Sequence, residues 1–285
     1  MKDIAPGVLY VVATPLGNLE DITLRAVRVL GEVSLIACED TRRTARLLAA
    51  HGVRTPTTSY FEHNERWKGE RILEVLRGGR DVALVSDAGT PAISDPGFRL
   101  VRDARAEGLP VVPVPGPSAA MAALSVSGLP TDRFLFVGFL PSRAAARRRA
   151  LTALAEGTST LVFYESPRRL REALGDMAGV LGDREAFLCR EATKRYEEYR
   201  RGTLEALRAS LEARGEIKGE VVLVVAGAGQ AAPADAAPAL GALFDELTAR
   251  GLSRREVAKE AARRLGLPAR EVYRRLLEER PPPRR

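Results

Sequence analysis

Over its first 130 residues the chain alternates short apolar runs with segments of helical periodicity. That alternation is the strongest constraint on its fold. Val8–Ala13, Val33–Cys38, Val82–Val85 and Pro110–Val114 read as buried strands. Thr23–Leu30, Thr41–Ala50, Glu65–Leu76, Pro96–Ala106 and Ser118–Val126 read as helices between and after them. Uniformly apolar strands separated by helices predict a mostly parallel sheet covered on both faces. A second α/β block follows, with strands at Phe134–Leu140, Thr160–Tyr164, Ala186–Arg190, Tyr196–Gly202 and Glu220–Val225. Its helices are expected at Ala144–Ala155, Pro167–Val180 and Leu204–Ala213, and some of its strand pairing is expected to be antiparallel.

Gly227–Gly241 is rich in Ala, Gly and Pro and has no periodicity, so it reads as a linker. Beyond it a small helical module is expected. Ala242–Ala249 forms one helix, and Ser253-Arg254-Arg255-Glu256 is a capping box that opens a second. Gly266-Leu267-Pro268 makes a turn, and Arg270–Glu279 forms a third helix in a helix-turn-helix-like pattern. The expected organisation is therefore an α/β domain over 1–117, a second over 118–228, a linker over 229–241 and a basic module over 242–285.

Of the 285 residues, 44 are Lys or Arg and 37 Asp or Glu, for a formal charge of +7. The segment from Gly241 to Arg285 carries 12 basic and 7 acidic residues, so most of the excess is C-terminal. A basic tail suits a polyanion such as nucleic acid, although a solvated helical surface has the same composition. Two cysteines, Cys38 and Cys189, exclude a disulfide framework or a cysteine-rich zinc site. They read as small core residues, and Trp67, the single tryptophan, reads as a packing residue. Two histidines, His51 and His63, leave little material for histidine chemistry, and no metal site is expected. The uncharged stretch Gly108–Thr131 carries five prolines, which a membrane-spanning helix would not tolerate. The N-terminus has no apolar signal core, so a cytoplasmic location is expected.

Neither the G-x-G-x-x-G nor the G-x-x-x-x-G-K-[ST] phosphate cradle is present. Instead, long loops follow the strands, where open α/β sheets bind ligands. They are Thr14–Asp21, Glu39–Thr44, Ser86–Gly97, Pro115–Ala120 and Tyr164–Arg169. Two of them, Ser86–Gly97 and Pro115–Ala120, are dense in Gly, Pro and small polar residues. Such loops bring backbone groups close to a ligand and suit a neutral heterocycle with a zwitterionic tail.

The segments VATPLGNLEDIT, EDTRRT, LVSDAGTPAISDPG, VPGPSAAMAALSVSGLP, FYESPRR and KGEVVLVVAG occur in that order across the first 227 residues. This series resembles the ribosomal RNA small-subunit methyltransferase I family, in the tetrapyrrole-methylase-like class of S-adenosylmethionine methyltransferases. The C-terminal module also looks like that family's own tail. The resemblance implies two α/β domains with S-adenosylmethionine in the cleft between them. It implies 2′-O-methylation of a cytidine ribose, position 1402 of 16S rRNA in the decoding centre, by a homodimer acting on rRNA or the 30S subunit. Carried onto this chain, the cofactor would meet Asp87, Ala88, Gly89, Ile93, Ser94, Asp95, Ser118 and Ala119. It would also meet Glu165, Ser166, Glu191, Gly219 and Glu220, with Pro15 closing the floor.

Arg42 and Arg43 would face RNA phosphates, and Arg270, Arg274 and Arg275 would present charge from the last helix. Similar proteins often carry His where this chain has Arg168; a histidine role does not carry over there, and the added charge suits either RNA contact or simply the surface. Activation of a ribose hydroxyl calls for a nearby base or cation. Lys194, Lys218, Glu191, Glu39 and Asp40 are the candidates, and the residues alone do not choose among them. Two other functions compete. One is a tetrapyrrole C-methyltransferase of the same fold, and the other is a helix-turn-helix regulator whose α/β part senses a ligand. The basic tail and the Arg42-Arg43 loop favour RNA over a small tetrapyrrole, and the large cleft-forming body disfavours a regulator.

Overall fold

The computed structural model describes residues 5–212, 214–229, 236–265, 272–274 and 276, with only the backbone described in 236–242 and 264–265. Two compact units divide the chain, Met1–Gln230 and Ala231–Arg285.

The first unit begins with β1 (Leu9–Val12), α1 (Leu24–Glu32), β2 (Leu35–Cys38), α2 (Thr41–Ala50) and β3 (Thr57–Ser59). It continues with α3 (Glu65–Arg77), β4 (Val82–Val85), α4 (Phe98–Ala106) and β5 (Val111–Val114). These five strands form one parallel sheet in the order β3-β2-β4-β1-β5. Central β4 is buried at every position, which is why it reads as an unbroken apolar run. Thr23 and Asp40 cap α1 and α2 by accepting from the backbone N–H groups of Ala26 and Arg42. The sequence gives no apolar signal for β3. Its Thr-Thr-Ser is half-exposed, and an edge strand needs only its backbone to pair with β2.

Next come α5 (Ala119–Val126), β6 (Phe134–Phe139), α6 (Ala144–Thr152), β7 (Thr160–Glu165) and α7 (Leu170–Leu181). They are followed by β8 (Glu185–Arg190), β9 (Glu198–Thr203), α8 (Leu204–Glu212) and β10 (Val221–Val225). The second sheet has the order β6-β7-β10-β8-β9. Only β6 and β7 run parallel; the other neighbours are antiparallel. Its central strand β10, Val-Val-Leu-Val-Val, is wholly buried. One face packs on α7 and α8 through Leu170, Leu174, Met177, Leu207 and Leu211. The other face takes Ala120, Ala123 and Leu124 of α5 against Val162, Phe187, Val222 and Val224. Burial on that face explains why α5 is apolar nearly throughout. Cys38 and Cys189 are both buried within these cores, and burial pushes the Cys189 thiol up to about 11.

In the second unit, α9 (Ala236–Ala249) begins inside the segment expected to be a linker. Alanine has high helix propensity, and Pro238 falls in the first turn, where its missing N–H costs nothing. α10 (Arg254–Leu265) opens on the expected capping box. The Glu256 carboxylate accepts from the Ser253 backbone N–H (2.9 Å) and hydroxyl (2.6 Å). Phe244, Leu247, Val257, Ala261, Val272 and Leu276 form the core of this unit. Residues 272–274 and 276 are helical and Arg274 is exposed. The expected Gly266–Pro268 turn, Arg270 and Arg275 lie outside the described residues.

Candidate active site

The loops at the carboxyl ends of the first sheet are tied to one another by their backbones. Thr14 and Gly89 exchange N–H···O=C bonds of 2.9 and 3.0 Å, joining the loop after β1 to the loop after β4. The Thr14 hydroxyl adds a bond to the Ser86 carbonyl (3.1 Å). Thr90 donates to the Pro117 carbonyl (3.1 Å), which ties in the loop after β5. The Ser86–Gly97 loop is strained as well as braced: Ala92 and Ser94 both have positive φ, at 67° and 63°. Such conformations persist only where the surroundings enforce them, and they concentrate at functional sites.

Around these loops lies a cavity of about 450 Å³. Its first-sheet wall includes Glu39, Arg43, Asp87, Ala88, Gly89, Ile93, Ser94 and Asp95. Ser118 and Ala119, at the start of α5, form one end. Glu165, Ser166, Gly219 and Glu220 complete it from the second sheet, with Tyr164, Val221 and Val222 as an apolar wall and the exposed Phe139 at its edge. Twelve of the residues expected to meet the cofactor therefore line a single cavity. Two others stand differently. Pro15 is buried and does not line it; the neighbouring Leu16 does. Glu191 stands behind the wall and holds the backbone of Glu220 in place, its carboxylate accepting from the Glu220 N–H (3.0 Å).

The electrostatics are strongly negative. Burial, then the charge of Glu39, raises the Asp95 carboxyl to about 6 despite a hydrogen bond from Ser86. Glu39 is itself raised, first by burial and then by Asp87. Arg43 partly compensates, its Nη1 lying 3.3 Å from Asp87 Oδ2. Glu165 is 2% exposed. Its Oε1 accepts from the Ser166 N–H and from Arg169 Nη2, both at 2.6 Å. Its Oε2 is buried without a protein partner. An unpartnered buried acceptor is costly, and a ligand donor would satisfy it. α5 points its first turn at the cavity without a side-chain cap from Ser118, and the Ala120 N–H of that turn hydrogen-bonds the Tyr164 side chain. Carboxylates for a cationic sulfonium and ammonium, helix-end N–H groups for a carboxylate and an apolar wall for a heterocycle together fit S-adenosylmethionine.

The candidate catalytic groups separate clearly. Asp40 holds its N–H to Asp87 (3.0 Å) and its carboxylate to Arg42 (3.0 Å). The hydrogen bond from Arg42 draws its carboxyl down to about 2, and Asp40 caps α2. Lys218 is 77% exposed and pairs with Glu216 (3.4 Å). Lys194 is half-buried between carboxylates, with Nζ 2.8 Å from Glu191 Oε1 and 3.2 Å from Glu220 Oε2. Burial opposes its charge, but hydrogen bonds to those two acids raise its pKa overall. For Glu191 burial is likewise outweighed, here by Lys194 and the Glu220 N–H, and its pKa falls. The Lys194 stem crosses the loop after β1 so closely that a Cβ on Gly17 would lie 2.2 Å from Lys194 Cγ.

The structure corrects one further expectation. Trp67 is 53% exposed, not packed in a core. Its ring lies beside Lys68 Nζ (4.9 Å) and the Arg71 guanidinium (5.3 Å), which keep an aromatic stable at the surface of α3. Arg42, expected to face phosphates, is 86% exposed and pairs with Asp40. Arg168 is exposed, and its neighbour Arg169 makes the buried pair with Glu165. Sequence reasoning missed Tyr164 and Phe139, whose only signal was their place at the ends of β7 and β6. Among the described residues no His, Cys, Asp and Glu cluster has the arrangement of a metal site, and no helix is long and apolar enough to cross a membrane.

Residues 8–208 match the family model of the Tetrapyrrole (Corrin/Porphyrin) Methylases, which defines the class. The solved uroporphyrin-III-C-methyltransferase of Thermus thermophilus superposes with a TM-score of 0.55 at 24% identity, over 77% of this chain and 94% of that one, a likeness of fold alone. Sequence relatives are much nearer. The Ribosomal RNA small subunit methyltransferase I of Mesorhizobium japonicum is 50% identical over 273 residues, 95% of this chain and 91% of that protein. The protein of the same name from Halalkalibacterium halodurans is 47% identical over 272 residues, 94% and 93% of the two chains. The chain belongs to the ribosomal RNA small subunit methyltransferase I family.

Proposed function

We propose that this protein is an S-adenosylmethionine-dependent methyltransferase that modifies the 2′-oxygen of cytidine 1402 in 16S rRNA, acting in the cytoplasm as a homodimer. The observation that carries the substrate is the near-full-length similarity to small-subunit rRNA methyltransferases, since the fold is shared with a tetrapyrrole enzyme. The cavity supports the cofactor. Asp87, Asp95, Glu39 and Glu220 supply the negative potential a sulfonium and an ammonium require, and the opening turn of α5 suits the carboxylate. The apolar wall of Tyr164, Val221 and Val222 suits the adenine, and Glu165 Oε2 is left for a ligand donor.

Held by Asp87, Asp95, Glu220 and the start of α5, S-adenosylmethionine would supply an electrophilic methyl group for the ribose oxygen. The protein must hold the acceptor hydroxyl in line and manage its proton. Lys194, kept protonated by Glu191 and Glu220, stabilises negative charge as it develops on that oxygen, while Glu39 and Asp95, with raised pKa values, are positioned to take a proton. Lys218 and Asp40 are set aside by their exposure and ion pairs. Arg43, Arg168 and the basic second unit, with exposed Arg274, supply charge toward phosphate.

Incubation with methyl-labelled S-adenosylmethionine tests this reading, using 30S subunits and naked 16S rRNA as alternative acceptors. Label in an alkali-resistant linkage at cytidine 1402 is expected. Label on a tetrapyrrole, or none on RNA, would refute it. A second expectation concerns the approach of Lys194 to the loop after β1. Gly17→Ala must displace a flexible lysine stem rather than backbone, so the chain folds and binds cofactor. A misplacement of about 1 Å at a reacting centre costs up to ~10²-fold. Single-turnover rates should fall at least tenfold while cofactor affinity holds within twofold.

A further inference from the structure

We infer that Phe139 is the shelf on which the base of the target nucleotide stacks when its ribose is presented to the methyl donor. The inference rests on the RNA-methylation reading of the same cavity. β6 does not run straight to its end: its pairing with β7 shifts register between Phe136 and Gly138. The extra residue is Val137, and Gly138 takes a φ of +72°, which L side chains rarely adopt. A Cβ on Gly138 would also lie only 3.0 Å from the Ser94 hydroxyl oxygen in the strained loop after β4. Bulges of this kind bend a strand and re-aim the side chain that follows.

The side chain re-aimed here is Phe139, which lines the cavity yet is 56% exposed. It is not a loose residue. Its ring meets Tyr164 edge-to-face at 5.6 Å and 62°, and Tyr164 is braced in turn by Phe136 at 5.0 Å and 74°. The aromatic chain thus runs from the half-buried Phe136 and Tyr164 to an exposed terminal ring at the cavity mouth. A braced ring loses little freedom when a second ring is laid on it.

With a donor in the interior, an acceptor in RNA would enter by the mouth. A nucleotide seated in a concave mouth leaves its neighbours' stack, and enzymes that extrude a nucleotide replace the lost stacking with aromatic side chains. Tyr164, Val221 and Val222 form the wall that suits the donor's adenine on the reading above, which leaves the exposed outer ring for the incoming base. Stacking on an aromatic side chain is tolerant of base identity. Phe139 therefore positions a nucleobase, while the surrounding rRNA selects which one.

The test compares wild type with Phe139→Ala, Phe139→Leu and Phe139→Trp in the full-length protein. S-adenosylmethionine affinity is read by calorimetry, and KM and kcat for 30S subunits by label incorporation. For Phe139→Ala the KM for 30S subunits should rise about tenfold, the scale of one lost base stack, with cofactor affinity within twofold. Phe139→Leu should behave like the alanine variant, because it keeps apolar bulk without a π face, and Phe139→Trp should behave like wild type. A leucine variant as good as wild type would overturn the stacking role. So would cofactor affinity that falls in step with KM, which would place the ring over the donor instead. Wild-type protein that transfers no label to rRNA would remove the underlying reading and this inference with it. Active wild type alongside an unaffected alanine variant would overturn the inference alone.

Discussion

Replacing Lys194 with methionine should lower kcat by about 10²–10³-fold, the usual cost of removing one group that stabilises charge in a transition state. Methionine keeps the length and apolar stem that crosses Gly17, so the loop after β1 stays supported. What is lost is the ammonium between Glu191 and Glu220. S-adenosylmethionine affinity should change less than threefold, which separates the chemical step from binding. Lys194→Arg should recover part of the rate, since charge is restored in a different shape.

The pH profile decides the role of this lysine. The two acids raise its pKa, against the effect of burial, so it stays charged throughout the neutral range. A raised lysine pKa adds stability that is fully present below the unfolded value and is lost as pH rises through the folded one. The wild-type rate should therefore show no rise near pH 7–8 that disappears in the methionine variant. Such a rise would mean a deprotonated lysine acting as base. An unchanged kcat would reduce Lys194 to a clasp between loops.

Asp95→Asn should weaken S-adenosylmethionine binding by at least about tenfold, since a hydrogen bond or ion pair to a charged group contributes ~1.5–3 kcal/mol. The same substitution should stabilise the ligand-free protein. Asp95 titrates at about 6 in the folded chain against 3.8 for the unperturbed group, because it is buried and faces Glu39, Asp87 and Glu220, with Ser86 its one hydrogen-bonding relief. The folded state thus holds a proton that the unfolded chain has already released. Its contribution to stability is complete below about pH 4 and is lost as pH rises through about 6.

At pH 7.5 the ionised group destabilises the empty site by about 1 kcal/mol, allowing for its partial access to solvent. Asparagine removes that cost, and the melting temperature of the ligand-free protein should rise by about 2–4 °C. At pH 5 the gain should shrink. Thermal melts at both pH values and calorimetric titration of the cofactor check both halves. Equal affinity in the two proteins would show that Asp95 does not meet the cation. A site that holds uncompensated negative charge while empty is complementary to a cationic ligand, and the stability gain in the variant would measure what that complementarity costs.

The elements most legible in the sequence were those whose burial leaves a one-dimensional pattern. β4 and β10 are buried at every position and read as strands without ambiguity. Ser253 marked the start of α10 because capping is local chemistry between residues three apart. β3 left no pattern, since a half-exposed edge strand is specified by its neighbour rather than by its own residues. Trp67 was misjudged for a related reason: a large apolar ring predicts burial, and only the cations around it explain its exposure.

The strand-to-helix loops of the site were visible as dense runs of Gly, Pro and small polar residues, and most of the expected cofactor residues line one cavity. How each charged group is placed was not visible. Lys194 and Lys218 are indistinguishable as letters, yet one lies between Glu191 and Glu220 and the other stands in solvent beside Glu216. Asp40 and Asp95 are likewise the same residue, one drawn down to about 2 by Arg42 and the other raised to about 6 by burial and Glu39. The linear chain by itself determined the alternation of strand and helix, the positions of the loops and the family. Tertiary structure alone decided which acids share a cavity, which lysine is held charged and where the bulge turns Phe139. The reason is physical: periodicity and capping act between near neighbours in sequence, whereas desolvation and Coulomb interactions depend on distances through space between residues up to a hundred or more positions apart.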